Sequence, residues 1–249
     1  MLNKVPEVTL SFWIIKIMAT TVGETAADFL NTNLNLGLAR TSAFMGALML
    51  LALIVQMRAR RYVPAVYWIA VVLISVVGTL ITDNITDHLG VPLQVTTSIF
   101  AAGLAATFVV WYASERTLSI HSIFTTKREL WYWLAILLTF ALGTAAGDLL
   151  AETMQLGYAK SAIVFGCGIA LVTAAHFLLN LNAIAAFWMA YVLTRPFGAS
   201  FGDLLSQPHE NGGLGLGTVS TSAIFLTVIV ALVLIMTRTL RQNAASVSI

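Results

Sequence analysis

Residues 13–28 read WIIKIMATTVGETAAD, and the frame they set returns three times. Residues 68–83 read WIAVVLISVVGTLITD, 133–148 read WLAILLTFALGTAAGD, and 188–203 read WMAYVLTRPFGASFGD. Each stretch opens on a tryptophan, carries a glycine ten residues later and closes on an aspartate five further on. The triplets are Trp13-Gly23-Asp28, Trp68-Gly78-Asp83, Trp133-Gly143-Asp148 and Trp188-Gly198-Asp203. With 17 glycines and five aspartates in 249 residues, a given tryptophan starts this pattern by chance roughly once in 700, so four occurrences mean internal repetition.

The composition says what kind of solvent the repeat faces. Hydrophobic residues make up 59% of the chain and charged residues 10%, with a mean hydropathy of +0.89. A soluble domain is about one quarter charged, so the expected class is an all-α polytopic membrane protein. The few basic residues are scattered at segment ends, which excludes a nucleic-acid partner. Cys167 is the only cysteine, so there is no intramolecular disulfide and no cysteine-based metal site. The first apolar stretch contains Lys16, Glu24 and Asp28, which argues against a cleavable signal peptide.

A spanning helix needs about 20 apolar residues. Eight segments qualify, at about 8–30, 40–57, 64–83, 93–113, 131–151, 159–179, 183–205 and 217–237. They form one transmembrane domain over 1–249, read as four helical-hairpin repeats near 8–60, 61–116, 128–181 and 182–240. Tryptophan spacings of 55, 65 and 55 suggest two duplicated four-helix halves joined through 114–130. Lys4, Arg58, Arg60, Arg61, Arg116, Lys127, Arg128, Arg238 and Arg241 fall on one side, against Arg40 and Lys160 on the other. That bias predicts cytoplasmic N- and C-termini.

From tryptophan to aspartate is about 22 Å of helix, most of a hydrocarbon core of about 30 Å. The tryptophans are therefore expected in the inner interfacial belt and the aspartates near the outer end. Each repeat glycine is followed four residues later by Ala27, Thr82, Gly147 or Gly202, a small-residue pattern that predicts close helix crossings. Asp28, Asp83, Asp148 and Asp203 would then form an acidic ring. Ser42, Ser98, Ser161 and Ser222, which open the returning helices, would stand beside it as supporting polar groups. Carboxylate and hydroxyl oxygens suit hard cations. The other reading is that each aspartate caps its partner helix.

The departures from the repeat are more telling. Only the first helix carries Lys16, Thr20, Glu24 and Asp28, a polar stripe at four-residue spacing. Only the seventh carries Arg195, next to Pro196, which frees a backbone carbonyl. In the repeat frame Arg195 lies at the depth of Thr20, one turn inward of Glu24, so a Glu24–Arg195 ion pair is expected. His176, alone on the sixth segment, reads as hydrogen-bonded rather than ligating.

The stretches Ser11-Phe12-Trp13 through Gly23-Glu24-Thr25, and Leu193-Thr194-Arg195-Pro196-Phe197-Gly198 through Asp203-Leu204-Leu205, carry a family resemblance. The chain resembles a bacterial membrane-protein family of four tandem two-helix repeats of unknown function, each marked by a tryptophan. The resemblance implies a bacterial inner-membrane location and brings no substrate or reaction.

The expected function is therefore transport of a small cation, with a divalent metal ion as a candidate cargo and proton coupling open. Glu24, Asp28, Asp83, Asp148 and Asp203 would bind the ion, with Lys16 and Arg195 as counter-charges or gates. No resident cofactor and no enzymatic activity are expected, since no nucleophile, phosphate or haem motif is present. The alternative is an intramembrane enzyme, or a transporter of a small anionic or organic substrate, using Lys16 and Arg195. Oligomeric state and substrate identity stay open at this level.

Overall fold

The computed structural model describes residues 3–33 and 37–246. They form eight α-helices: α1 Leu10–Asp28, α2 Leu38–Arg58, α3 Pro64–Asp83, α4 Leu93–Glu115, α5 Thr126–Asp148, α6 Gly157–Leu178, α7 Ala183–Ser206 and α8 Thr218–Ser246. No strand occurs among the described residues. The helix starts follow local chemistry. The Thr9 and Thr125 hydroxyls accept from the Phe12 and Arg128 amides, and Asn182 caps α7 through Ile184 and Ala185. Pro64 stands at the first turn of α3, where its missing N–H costs nothing.

The odd-numbered helices close into a ring. α1 packs on α3, α3 on α5, α5 on α7, and α7 back on α1. The even-numbered helices lie outside it, α2 against α3, α4 against α5, α6 against α7 and α8 against α1. Each outer helix thus packs on the helix that follows it, with α8 returning to the first. The paired helices cross the boundary between sequence repeats, and the two helices within a repeat are splayed.

One contact generates the ring. A Cβ added at Gly23 would meet Ser75, at Gly78 it would meet Phe140, at Gly143 it would meet Arg195, and at Gly198 it would meet Thr20. Each partner stands three residues before the glycine of its own helix. The same crossing therefore recurs four times and closes on itself, giving pseudo-four-fold symmetry. Adding side-chain volume to such a packed contact costs about 1–3 kcal/mol or more. Gly143→Val, whose Cβ would strike Arg195 and Pro196, should lower the midpoint of denaturant unfolding. An unchanged midpoint would mean the crossing is looser than described.

Burial divides the two shells. Only 17–22% of the apolar windows of α2, α4, α6 and α8 is buried within the molecule, against 67% for α3 and 56% for α5. Apolar faces exposed on this scale fit a lipid surround, and the molecule is a multi-pass membrane type. Six helices are long and apolar enough to cross. Of the eight segments expected from sequence, α1 and α7 are the two that do not meet that measure among the described residues. Those two carry buried charged groups, Lys16 and Glu24 on one, Arg195 and Asp203 on the other.

The tryptophans also differ from expectation. Trp68, Trp133 and Trp188 are buried and Trp13 is half-buried. They pack with Phe12, Tyr67, Tyr132 and Phe187 into an aromatic cluster at one end of the ring. An outward-facing interfacial belt is not what they form.

Candidate cation site and its buried ion pair

The four-fold frame sorts the ring interior into layers, one helical turn apart. The residue after each repeat glycine gives Glu24, Thr79, Thr144 and Ala199. Three residues before the glycine stand Thr20, Ser75, Phe140 and Arg195, and one turn further Lys16, Val71, Ile136 and Tyr191. All twelve are buried. Beyond them come the aromatic residues preceding each tryptophan, with the Tyr67 and Tyr132 hydroxyls 2.6 Å apart.

Arg195 joins all four ring helices. Its guanidinium donates to the Glu24 carboxylate on α1 at 2.9 Å and to the Thr144 hydroxyl on α5 at 2.7 Å. It also donates to the Thr79 hydroxyl on α3 and, at 3.3 Å, to the Thr20 carbonyl. Thr79 in turn donates to Glu24 at 3.2 Å. The pair is nearly solvent-free, with 0% and 7% side-chain exposure. Sequence depth brought Glu24 and Arg195 to adjoining layers, and they do meet. Thr79 and Thr144 were missed, although aligning the four repeats puts them in the column of Glu24.

Glu24 belongs to a second grouping as well. Single oxygens of Glu24, Asp148 and Asp203 all lie within 4.8 Å of one another. Oxygens about 2.3–2.6 Å from a calcium-sized ion, or nearer for a smaller one, span such separations. Asp28 and Asp83 occupy the same register position on α1 and α3, but are not part of that close trio. No hydrogen bond reaches the carboxylate of any of the four repeat aspartates among the described residues, so none of those side chains caps a partner helix there. Instead Asp28, Asp83 and Asp148 are the last residues of their α-helical stretches. Each is followed by a five-residue π-helical turn: Phe29–Asn33, Asn84–His88 and Leu149–Thr153. π-turns inside helices cluster at functional positions. In the fourth repeat α7 runs on to Ser206 without one.

The other expected groups do not converge here. Ser98 is exposed and bonds to the Gln94 carbonyl, Ser42 accepts from Asn84, and Ser222 pairs with Thr25 at 2.6 Å. Ser161 is buried with no partner among the described residues. The four serines stand on the outer helices, and none is hydrogen-bonded to a repeat aspartate among the described residues. Lys16 forms no ion pair with a carboxylate among the described residues. Its ammonium stands 4.2 Å from the Phe140 ring centre and 4.3 Å from that of Tyr191. His176 bonds to the Leu181 carbonyl at 2.8 Å and lines an apolar cavity of about 460 Å³ between α1, α6 and α7.

A second buried ion pair was not anticipated from sequence. Lys4 donates to Glu129 at 2.7 Å and to the Met57 carbonyl at 2.8 Å, strapping residues 3–6 beneath α2 and α5. Removing one member of a buried pair costs about 3–5 kcal/mol. Glu129→Ala should thus lose a large part of the unfolding free energy. Double replacement of Lys4 and Glu129 by methionine should recover much of it, and equal losses in both would refute the coupling.

Fold and site together define an all-helical membrane-type protein built on four repeats, with a charged centre where the four inner helices cross. The family model described as "Repeat of Unknown Function (DUF347)" matches residues 11–62, 66–117, 131–181 and 186–242, and the chain belongs to this family. No curated protein and no solved structure matches it.

Proposed function

We propose that the protein is a membrane transporter of a small cation, a divalent metal ion being the cargo class that best suits its oxygen ligands. The observation that carries this reading is the close approach of Glu24, Asp148 and Asp203, with no donor among the described residues satisfying the two aspartates. Acidic groups within membrane-spanning helices are costly and mark ion pathways. Asp28 and Asp83, in the same register, would widen the acidic mouth. Arg195 acts as a tethered cation that holds Glu24 until cargo displaces it.

In this reading all eight helices cross a bacterial inner membrane. α1 and α7 do so inside the ring, where apolarity is not required. The nine-to-two distribution of basic residues sets both termini in the cytoplasm. The activity is transport rather than catalysis. The Arg195 guanidinium is engaged by Glu24, Thr79 and Thr144, which argues against a free anion clamp.

The test is a panel of cation fluxes in proteoliposomes, comparing wild type with Glu24→Gln. Flux of one cation that Glu24→Gln abolishes would support the reading. No flux of any cation from folded wild-type protein would reject it.

A further inference from the structure

We propose that Lys16 is the proton carrier of this transporter, its amine releasing and retaking one proton as the cation enters and leaves the carboxylate cluster. The inference rests on the cation-transport reading and assigns its coupling ion. Lys16 is fully buried, and its Nζ has no hydrogen-bond acceptor among the described residues. Glu24, the carboxylate two turns along the same helix face, is engaged by Arg195 and Thr79.

Two opposing influences act on the amine. The faces of Phe140 and Tyr191, at 4.2 and 4.3 Å, attract an ammonium. Against them stand complete burial, the missing acceptor and the fixed charge of Arg195, whose guanidinium carbon lies 5.5 Å from the centre of that same Phe140 ring. An enclosed charge without a partner is far costlier than the neutral group. Arginine keeps its proton in proteins, whereas a buried lysine can give one up. Both states of Lys16 therefore have support, as a carrier requires.

The groups around it are accounted for from each neighbouring helix. α7 supplies Arg195 and Tyr191, while Tyr67 of α3 and Tyr132 of α5 stand one layer inward. From Thr218 to Thr237, α8 contains no titratable residue. The Tyr191 hydroxyl has no partner among the described residues, and the Tyr67–Tyr132 hydroxyls are 2.6 Å apart. These hydroxyls mark the direction of transfer towards the tryptophan end. In the step itself an Nζ–H bond breaks and its electron pair stays on nitrogen, while a water oxygen takes the proton and releases one of its own to the next oxygen along the path. The return step reverses this, and nothing is oxidised or reduced. A closely packed layer that leaves no room for an ion can still pass a proton.

The experiment compares wild type with Lys16→Met and Lys16→Arg, one permanently neutral and one permanently charged. Purified full-length protein in detergent is titrated from roughly pH 5 to 9, where wild type should exchange about one proton per chain more than either variant. In proteoliposomes loaded with manganese(II), acceleration of flux by a pH gradient should be present in wild type and lost in both variants. Equal proton exchange in all three proteins, or a gradient response surviving Lys16→Met, would overturn the proposal. A one-proton difference without any cation flux in wild type would overturn the transport reading and the coupling, leaving only the exchange at Lys16. Lys16→Met removes a buried charge, so the variant should fold.

Discussion

Arg195→Met should destabilise the protein by about 3–5 kcal/mol, because it leaves a carboxylate enclosed with no counter-charge. Glu24 would keep only the Thr79 hydroxyl as a donor. Thr144 would lose its bond to α7, so α3, α5 and α7 would no longer be tied at one point. The double variant Glu24→Gln/Arg195→Met should recover most of the loss, since a neutral amide and an apolar chain need no mutual compensation. Unfolding by denaturant reads both effects. A double variant as unstable as the sum of the singles would mean that the two residues act independently. Recovered stability without recovered flux would separate the structural from the transport role of the pair.

The second large effect concerns the cargo ligands. Asp148→Asn and Asp203→Asn each remove a charged oxygen donor from the trio with Glu24. Altering even a supporting residue of a metal site costs on the order of 10–100-fold in affinity, so a direct ligand should cost at least that. Each change should raise the half-saturating cation concentration accordingly. Asp28→Asn and Asp83→Asn should act more weakly, since those carboxylates stand outside the close trio. A uniform effect across all four would indicate an electrostatic mouth without a defined site. No effect at Asp148 or Asp203 would remove them from the pathway.

How far sequence reaches in this molecule follows from what a repeat encodes. Spacing along a helix fixes depth, so the glycine crossings and the adjoining layers of Glu24 and Arg195 were legible. It does not fix direction around the helix axis. The tryptophans have the right depth for an interfacial belt but turn inwards onto Tyr67 and Tyr132. Lys16 shares a face with Glu24 at a two-turn spacing, yet the crossing of α5 and α7 puts Phe140 and Tyr191 over its amine. The serines of α2, α4, α6 and α8 have the right depth too, but their helices pack outside the ring. Which outer helix packs on which inner one depends on tertiary contact. The inner turn of residues 59–63 brings α2 onto α3, leaving α1 and α2 apart. Thr79 and Thr144 look like ordinary small polar residues until the four repeats are superposed and Glu24 falls in their column.

The most direct test of the carboxylate cluster is equilibrium binding of manganese(II) to the purified protein, followed by electron paramagnetic resonance. Wild type should bind the ion at a saturable site, and the triple variant Glu24→Gln/Asp148→Asn/Asp203→Asn should lose that site while remaining folded. Equal binding by the two proteins would contradict the assignment of these three carboxylates as the place where the cation is held.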